Sequence, residues 1–170
     1  MGNDGVCRHF YLLKWRNVMP NKPVKATAIG INHVALEVDD IDEALAFYSE
    51  ILTFRLRGRK EKMAFIDLGD QFLNLSEGRS QSPDTKRHFG LVVDDREIMR
   101  QKVKQLDCKI LPSPSETGLD FLDPWGNHIQ VVEYASIQFS KTQEVLRGMG
   151  LEGLKKNGQA LEELKSKGMG

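Results

Sequence analysis

The sequence predicts an α+β fold of two tandem β-α-β-β-β modules followed by a helical tail, and three observations predict it. The first is an internal repeat. Ile31-Asn32-His33-Val34-Ala35-Leu36-Glu37-Val38-Asp39-Asp40 returns as Lys86-Arg87-His88-Phe89-Gly90-Leu91-Val92-Val93-Asp94-Asp95. The offset of 55 residues (33 to 88) aligns His33 with His88, Val38 with Val93 and the two Asp-Asp pairs. Self-similarity at a fixed offset marks a duplicated structural unit. The second observation is a helical apolar stripe after each copy. The third is a set of three strand-like runs after each helix.

The elements follow in order. Ile31 to Val38 alternates as a strand does. After Asp39-Asp40, residues Ala44, Leu45, Phe47, Tyr48, Ile51 and Leu52 fall at steps of three and four, the stripe of a helix packed on a core. Asp40 is placed to cap that helix, and Asp42 and Glu43 suit the positive end of its dipole. Leu56 begins a strand, Met63 to Leu68 a second and Gln71 to Ser76 a third. In the second copy Met99, Val103 and Leu106 carry the helical spacing, with Lys and Arg on the outer face. Lys109 to Leu111, Leu119 to Leu122 and His128 to Glu133 are its strands. Asp123-Pro124-Trp125-Gly126-Asn127 reads as a hairpin turn without chemistry, because Pro presets φ, Gly permits the bend, and Asp or Asn closes it through side-chain hydrogen bonds.

The domain boundaries expected are a flexible leader over 1–28, a duplicated domain over 29–135 with modules at about 29–77 and 84–135, and a C-terminal extension over 136–170. Met19 reads as a plausible start within the leader. The extension, with Leu146, Leu154, Leu161 and Leu164 among Lys and Glu, reads as two short amphipathic helices broken near Asn157-Gly158 and docked on the domain or on a partner subunit.

Composition excludes several function classes. Lys+Arg and Asp+Glu both number 24, so no net positive charge is present to hold a nucleic-acid backbone. No run of about 18 apolar residues spans a membrane. Two cysteines, Cys7 and Cys108, are too few and too scattered for a disulfide framework or a cysteine zinc site, and a reducing cytoplasmic setting is expected. There is no Gly-x-Ser-x-Gly nucleophile motif and no phosphate-binding glycine loop.

The motifs Asn32 to Asp40, Ala46-Phe47-Tyr48, His88 to Val93 and Phe121 to Glu133, in this order, resemble the vicinal oxygen chelate superfamily. That superfamily includes glyoxalase I, extradiol dioxygenases, fosfomycin-resistance enzymes and bleomycin-binding proteins. The resemblance covers roughly residues 29–135. It implies a curved mixed eight-stranded sheet made of two four-stranded halves, with a ligand cavity inside the curve, and it implies a homodimer.

In the metal-binding relatives four strand positions face the cavity, and by resemblance these fall on His33, Asn74, His88 and Gln130. The sequence departs from the family at two of them. Glyoxalase I usually has a glutamate at one or both last-strand positions, and extradiol dioxygenases and fosfomycin-resistance enzymes need a carboxylate where Gln130 stands. Two imidazoles and two amides bring no negative charge to offset a divalent ion, and the set lacks the two-His-one-carboxylate pattern of Fe(II) sites. Glu37 shares a strand face with His33 but lies about 13 Å along the strand, too far to join a metal whose bonds are about 2 Å. Asp67 and Asp120 lie in middle strands with their faces open. His128 shares the Gln130 face and is expected at the cavity rim.

Two functions from different classes remain. One is a glyoxalase-like lyase or isomerase using a divalent metal (Zn, Ni, Mn or Fe) on a small substrate with vicinal oxygens, dioxygenase chemistry being disfavoured by Gln130. The other is a metal-free protein that sequesters a small molecule, as bleomycin-binding relatives do, with Phe65, Phe72, Phe89, Phe121 and Trp125 available to line its cavity. Recruitment of a partner by the C-terminal helices is a third, scaffold reading.

Overall fold

The computed structural model describes residues 25–113, 115 and 117–169. The chain divides into two units, Met1–Gly30 and Ile31–Gly170. Of the first, residues 25–30 carry no helix or strand and are exposed. Most of the expected leader, with Cys7 and His9, lies outside the described residues.

The second unit contains the predicted elements in the predicted order. The first module is β1 (His33–Val38), α1 (Ile41–Ile51), β2 (Arg55–Lys60), β3 (Met63–Asp67) and β4 (Phe72–Glu77). The second is β5 (Phe89–Val93), α2 (Arg96–Gln105), β6 (Lys109–Leu111), β7 (Leu119–Leu122) and β8 (His128–Glu133). A short 3-10 turn (Tyr134–Ser136) leads to α3 (Gln143–Gly148) and α4 (Gly158–Ser166). The eight strands form two four-stranded mixed sheets, ordered β1-β4-β3-β2 and β5-β8-β7-β6. In each, the first and last strands of the module pair in parallel and the rest are antiparallel. The two ladders are separate, so hydrogen bonding does not run through all eight strands.

The helix starts are set by side-chain caps. Asp40 Oδ1 accepts from the amides of Asp42 and Glu43 at 2.8 and 2.9 Å, as expected. Asp95 does the same for α2 through the amides of Glu97 and Ile98. At the other end of α2 the apolar spacing of Met99, Val103 and Leu106 does not carry Leu106 into the core. Asp107 takes a φ of 53°, and Cys108 N donates to Val103 O at 2.9 Å while Asp107 N donates to Lys104 O at 3.1 Å. This paired closure ends the helix and leaves Leu106 39% exposed, while Met99 and Val103 carry the burial.

Period-two alternation assigns the faces. Leu36, Val38, Ala64, Ile66, Leu73 and Leu75 are buried on the face that joins the core with Ala44, Tyr48 and Ile51 of α1. In the second sheet Leu91, Leu119, Phe121, Ile129 and Val131 do the same with Met99 and Val103. Phe121 is therefore a fully buried core residue.

One buried group joins the modules. Asp123 Oδ1 accepts from the amides of Trp125 and Asn127, closing the predicted turn. Its Oδ2 accepts from Asn127 Nδ2 and, from the other module, from the Tyr48 hydroxyl at 2.8 Å. Asn127 Nδ2 also donates to Glu37 O at 3.0 Å. Phe47 packs edge-on against Trp125 with ring centres 5.9 Å apart. Gly126 sits at φ +85°, and a Cβ there would lie 2.7 Å from Pro83 Cα. Only glycine meets both demands.

The tail docks on the domain. A Cβ at Gly69 would lie 2.8 Å from Val145 and Met149, so the β3–β4 turn and α3 are in close contact. Lys141 pairs with Asp70, and Lys156 Nζ donates to the carbonyls of Tyr134 and Phe139 while sitting 3.4 Å above the Tyr134 ring. Asn157 caps α4 by accepting from Ala160 N at 2.9 Å.

Burial pushes the Asp123 carboxyl above its ordinary range, and its bonds to Asn127 and Tyr48 pull partly back. An acid whose folded-state pKa is raised costs no stability below its unfolded value, and costs more as pH rises through the folded value. Tyr48→Phe removes one offsetting bond. It is expected to destabilise by about 1–2 kcal/mol near neutral pH and by less under acid conditions, read as the difference in urea midpoint from wild type at each pH. Gly126→Ala is expected to cost about 2 kcal/mol or more, because it combines a left-handed backbone with a collision against Pro83, and the same midpoints measure it.

Candidate functional site

The faces away from the core carry the polar residues. In the first sheet, register places His33, Ala35 and Glu37 of β1 with Phe72, Asn74 and Ser76 of β4 and with Met63, Phe65 and Asp67 of β3. His33 is exposed, stacks on Phe72 with ring centres 4.7 Å apart, and its Nδ1 lies 3.0 Å from Asn32 Oδ1. Phe72 also meets Phe65 edge-on and lies under the Arg57 guanidinium. Asn74 Oδ1 is buried without a hydrogen-bond partner.

In the second sheet Gln130 pairs with Gly90 on one side and with Asp120 on the other, and His128 pairs with Leu122. His88 precedes β5 by one residue. Its ring centre lies 5.1 Å from that of His128, and its Nδ1 lies 3.1 Å from Lys86 O. His128 Nε2 lies 3.0 Å from Asp120 Oδ1. His128 is 9% exposed and Asp120 4%, so His128 is buried against a carboxylate and does not sit at a rim. Asp120 shares its face. The sequence held a signal for this: in Leu119-Asp120-Phe121 the apolar neighbours claim the core face and leave Asp120 the other.

A cleft of about 240 Å³ opens between the modules. Val34 to Glu37 of β1 form one wall, and the linker from Arg79 to His88 with the Trp125–His128 turn forms the other. It takes in His88, His128, Phe89 and Trp125, whereas His33, Asn74 and Gln130 do not line it. The structure thus brings His88 together with His128 and Asp120, and sets His33 and Asn74 on the other sheet. Among the described residues no three His, Cys, Asp or Glu side chains are gathered so as to hold a metal ion.

Glu37 lines the cleft and fastens its walls. Its carboxylate accepts from the amides of Ser80 and Gln81 at 2.7 and 3.1 Å, and these bonds, Ser80's first, hold it below the ordinary carboxylate range. Arg79 donates to Trp125 O at 2.6 Å and Arg87 pairs with Asp84 at 2.8 Å, so both cations at the cleft are engaged by protein groups. Cys108 is half-buried, and burial raises its thiol pKa, which lowers its thiolate fraction.

Comparison with known proteins agrees with this architecture. The chain is 28% identical over 111 residues to the glutathione transferase FosA of Serratia marcescens, a match covering 60% of this chain and 79% of that protein. Among solved structures it is similar to the fosfomycin resistance protein FosX of Listeria monocytogenes complexed with Mn(II) and sulfate, with TM-score 0.55 and 18% identity over 72% of this chain and 99% of that one. A putative glyoxalase family protein of Bacillus anthracis gives TM-score 0.53 and 20% identity over 64% and 98%. At these identities the solved structures speak for the fold. The family model for the Glyoxalase/Bleomycin resistance protein/Dioxygenase superfamily matches residues 30–131, both modules almost from end to end, and the chain belongs to that superfamily.

Proposed function

We propose that this protein is a glyoxalase-like, divalent-metal-dependent lyase or isomerase acting on a small substrate with two neighbouring oxygens. The observation that carries the reading is His88. Its Nδ1 lies against the Lys86 carbonyl, which leaves the Nε2 lone pair unused, and His88 lines the cleft of about 240 Å³. The other family positions fit a cation in their donor chemistry. His33 has one ring nitrogen against Asn32, and Asn74 offers a buried amide oxygen with no partner. When bound, a divalent ion supplies Lewis-acid stabilisation of negative charge developing on the substrate oxygens. The proposed ligand positions are His33, His88 and Asn74 with one donor from β8, for which the family position is Gln130. Lyase or isomerase chemistry is favoured over oxygen activation because Gln130 stands where Fe(II) sites carry a carboxylate. The Serratia relative is named for glutathione transfer and the Listeria structure holds Mn(II), which supports a metal-assisted transformation of a small molecule.

The protein's own groups shape the site. Glu37, kept ionised by the Ser80 and Gln81 amides, fixes the linker to β1 and so sets the cleft wall. Phe89 and Trp125 give the cleft apolar surface against which a small molecule packs. Because His33 and Asn74 lie on the first sheet and the cleft lacks them, we infer a homodimer in which one copy's first module completes the site of the other.

A second reading, metal-free sequestration of a small molecule, is favoured by the neutral amides at positions 74 and 130. Metal analysis separates the two. Purified wild type is expected to retain about one divalent ion per chain after dialysis, and a His33→Ala, His88→Ala double variant to retain none. A metal-free wild type whose thermal stability ignores added Zn, Ni, Mn or Fe would establish the sequestration reading instead. Light scattering is expected to give twice the chain mass; a monomer at working concentration would contradict the shared site.

A further inference from the structure

The family positions leave one polar group on the second sheet unused. His128 lies on the same face as Gln130, two residues earlier on β8, and it is buried. Its Nε2 is 3.0 Å from Asp120 Oδ1, while its Nδ1 and Asp120 Oδ2 are both buried without a partner. A buried nitrogen lone pair and a buried carboxylate oxygen left unsatisfied are costly, and each such group calls for an explanation.

The pattern of bonds supplies one. An imidazole that donates one N–H to a carboxylate or backbone carbonyl is fixed in the tautomer whose other nitrogen can bind a metal. His128 has this arrangement through Asp120, and His88 has it through Lys86 O. Two imidazoles on one tetrahedral ion stand about 5 Å apart, centre to centre, from metal–nitrogen bonds of about 2 Å. The observed separation is 5.1 Å, and both rings line the cleft. Gln130 does not line it.

We propose that His128 is a metal ligand beside His88, oriented by Asp120, and that β8 delivers its donor at position 128 in place of position 130. This rests on the metal-dependent reading above. It also resolves the charge problem of that reading: the Asp120 carboxylate lies one imidazole away from the ion and offsets its charge, which the amides cannot.

The test uses full-length protein, stripped by chelator, with Zn(II) as the probe in competition with a chromophoric chelator. His128→Ala and His88→Ala are each expected to weaken Zn(II) binding by at least about 100-fold, and Asp120→Asn by about 10–100-fold. Gln130→Ala is expected to leave it nearly unchanged. Asp120→Asn preserves side-chain shape, and a circular dichroism melt alongside each titration separates lost ligation from misfolding. Undiminished Zn(II) affinity in a folded His128→Ala protein, with affinity lost in Gln130→Ala, would overturn the proposal while leaving the metal-dependent function standing. A wild type that binds no Zn(II) would overturn both.

Discussion

The hydrogen bond from Tyr48 to Asp123 is the constraint on which the arrangement of the two modules depends. Each module has its own ladder, so backbone pairing does not hold one to the other. What holds them is a shared core and a few specific contacts, and the buried carboxylate lies at the centre of these. Asp123 closes its own turn with one oxygen and reaches α1 with the other. Burial makes its charge expensive, and four donors offset that cost. The same turn presents Asn127 to the Glu37 carbonyl and Trp125 to Phe47, so the cleft walls take their places from it. A segment readable as a simple turn is thus the joint between the modules.

Much of the fold was legible in the sequence because the information is local. The repeat of His33 to Asp40 at His88 to Asp95 disclosed the duplication, and the strand and helix periods disclosed what was duplicated. Asp40 was legible as a cap because capping needs only neighbours in sequence. The end of α2 was not, because it depends on one residue, Asp107, adopting a left-handed conformation that a non-glycine residue rarely takes.

The candidate site was less legible. The face of Asp120 follows from its apolar neighbours, but its partner does not: the His128 ring meets it across two strands whose register the sequence leaves open. The cleft is harder still. Its walls come from β1 and from the 125–128 turn, and the packing that opposes them depends on Tyr48, Asp123 and Asn127 together. His33 and His88, equivalent in sequence, meet unlike surroundings for this reason. One stacks on a phenylalanine of its own sheet, while the other lies tilted against a second histidine.

The separateness of the ladders has a mechanical consequence. Two plates fastened at a few points can tilt without tearing either plate, whereas a continuous sheet resists any such rotation along its whole length. The Glu37 carboxylate that bridges to Ser80 and Gln81 then acts as a latch on the gap. The width of the opening is therefore set by these few fastenings and not by strand pairing.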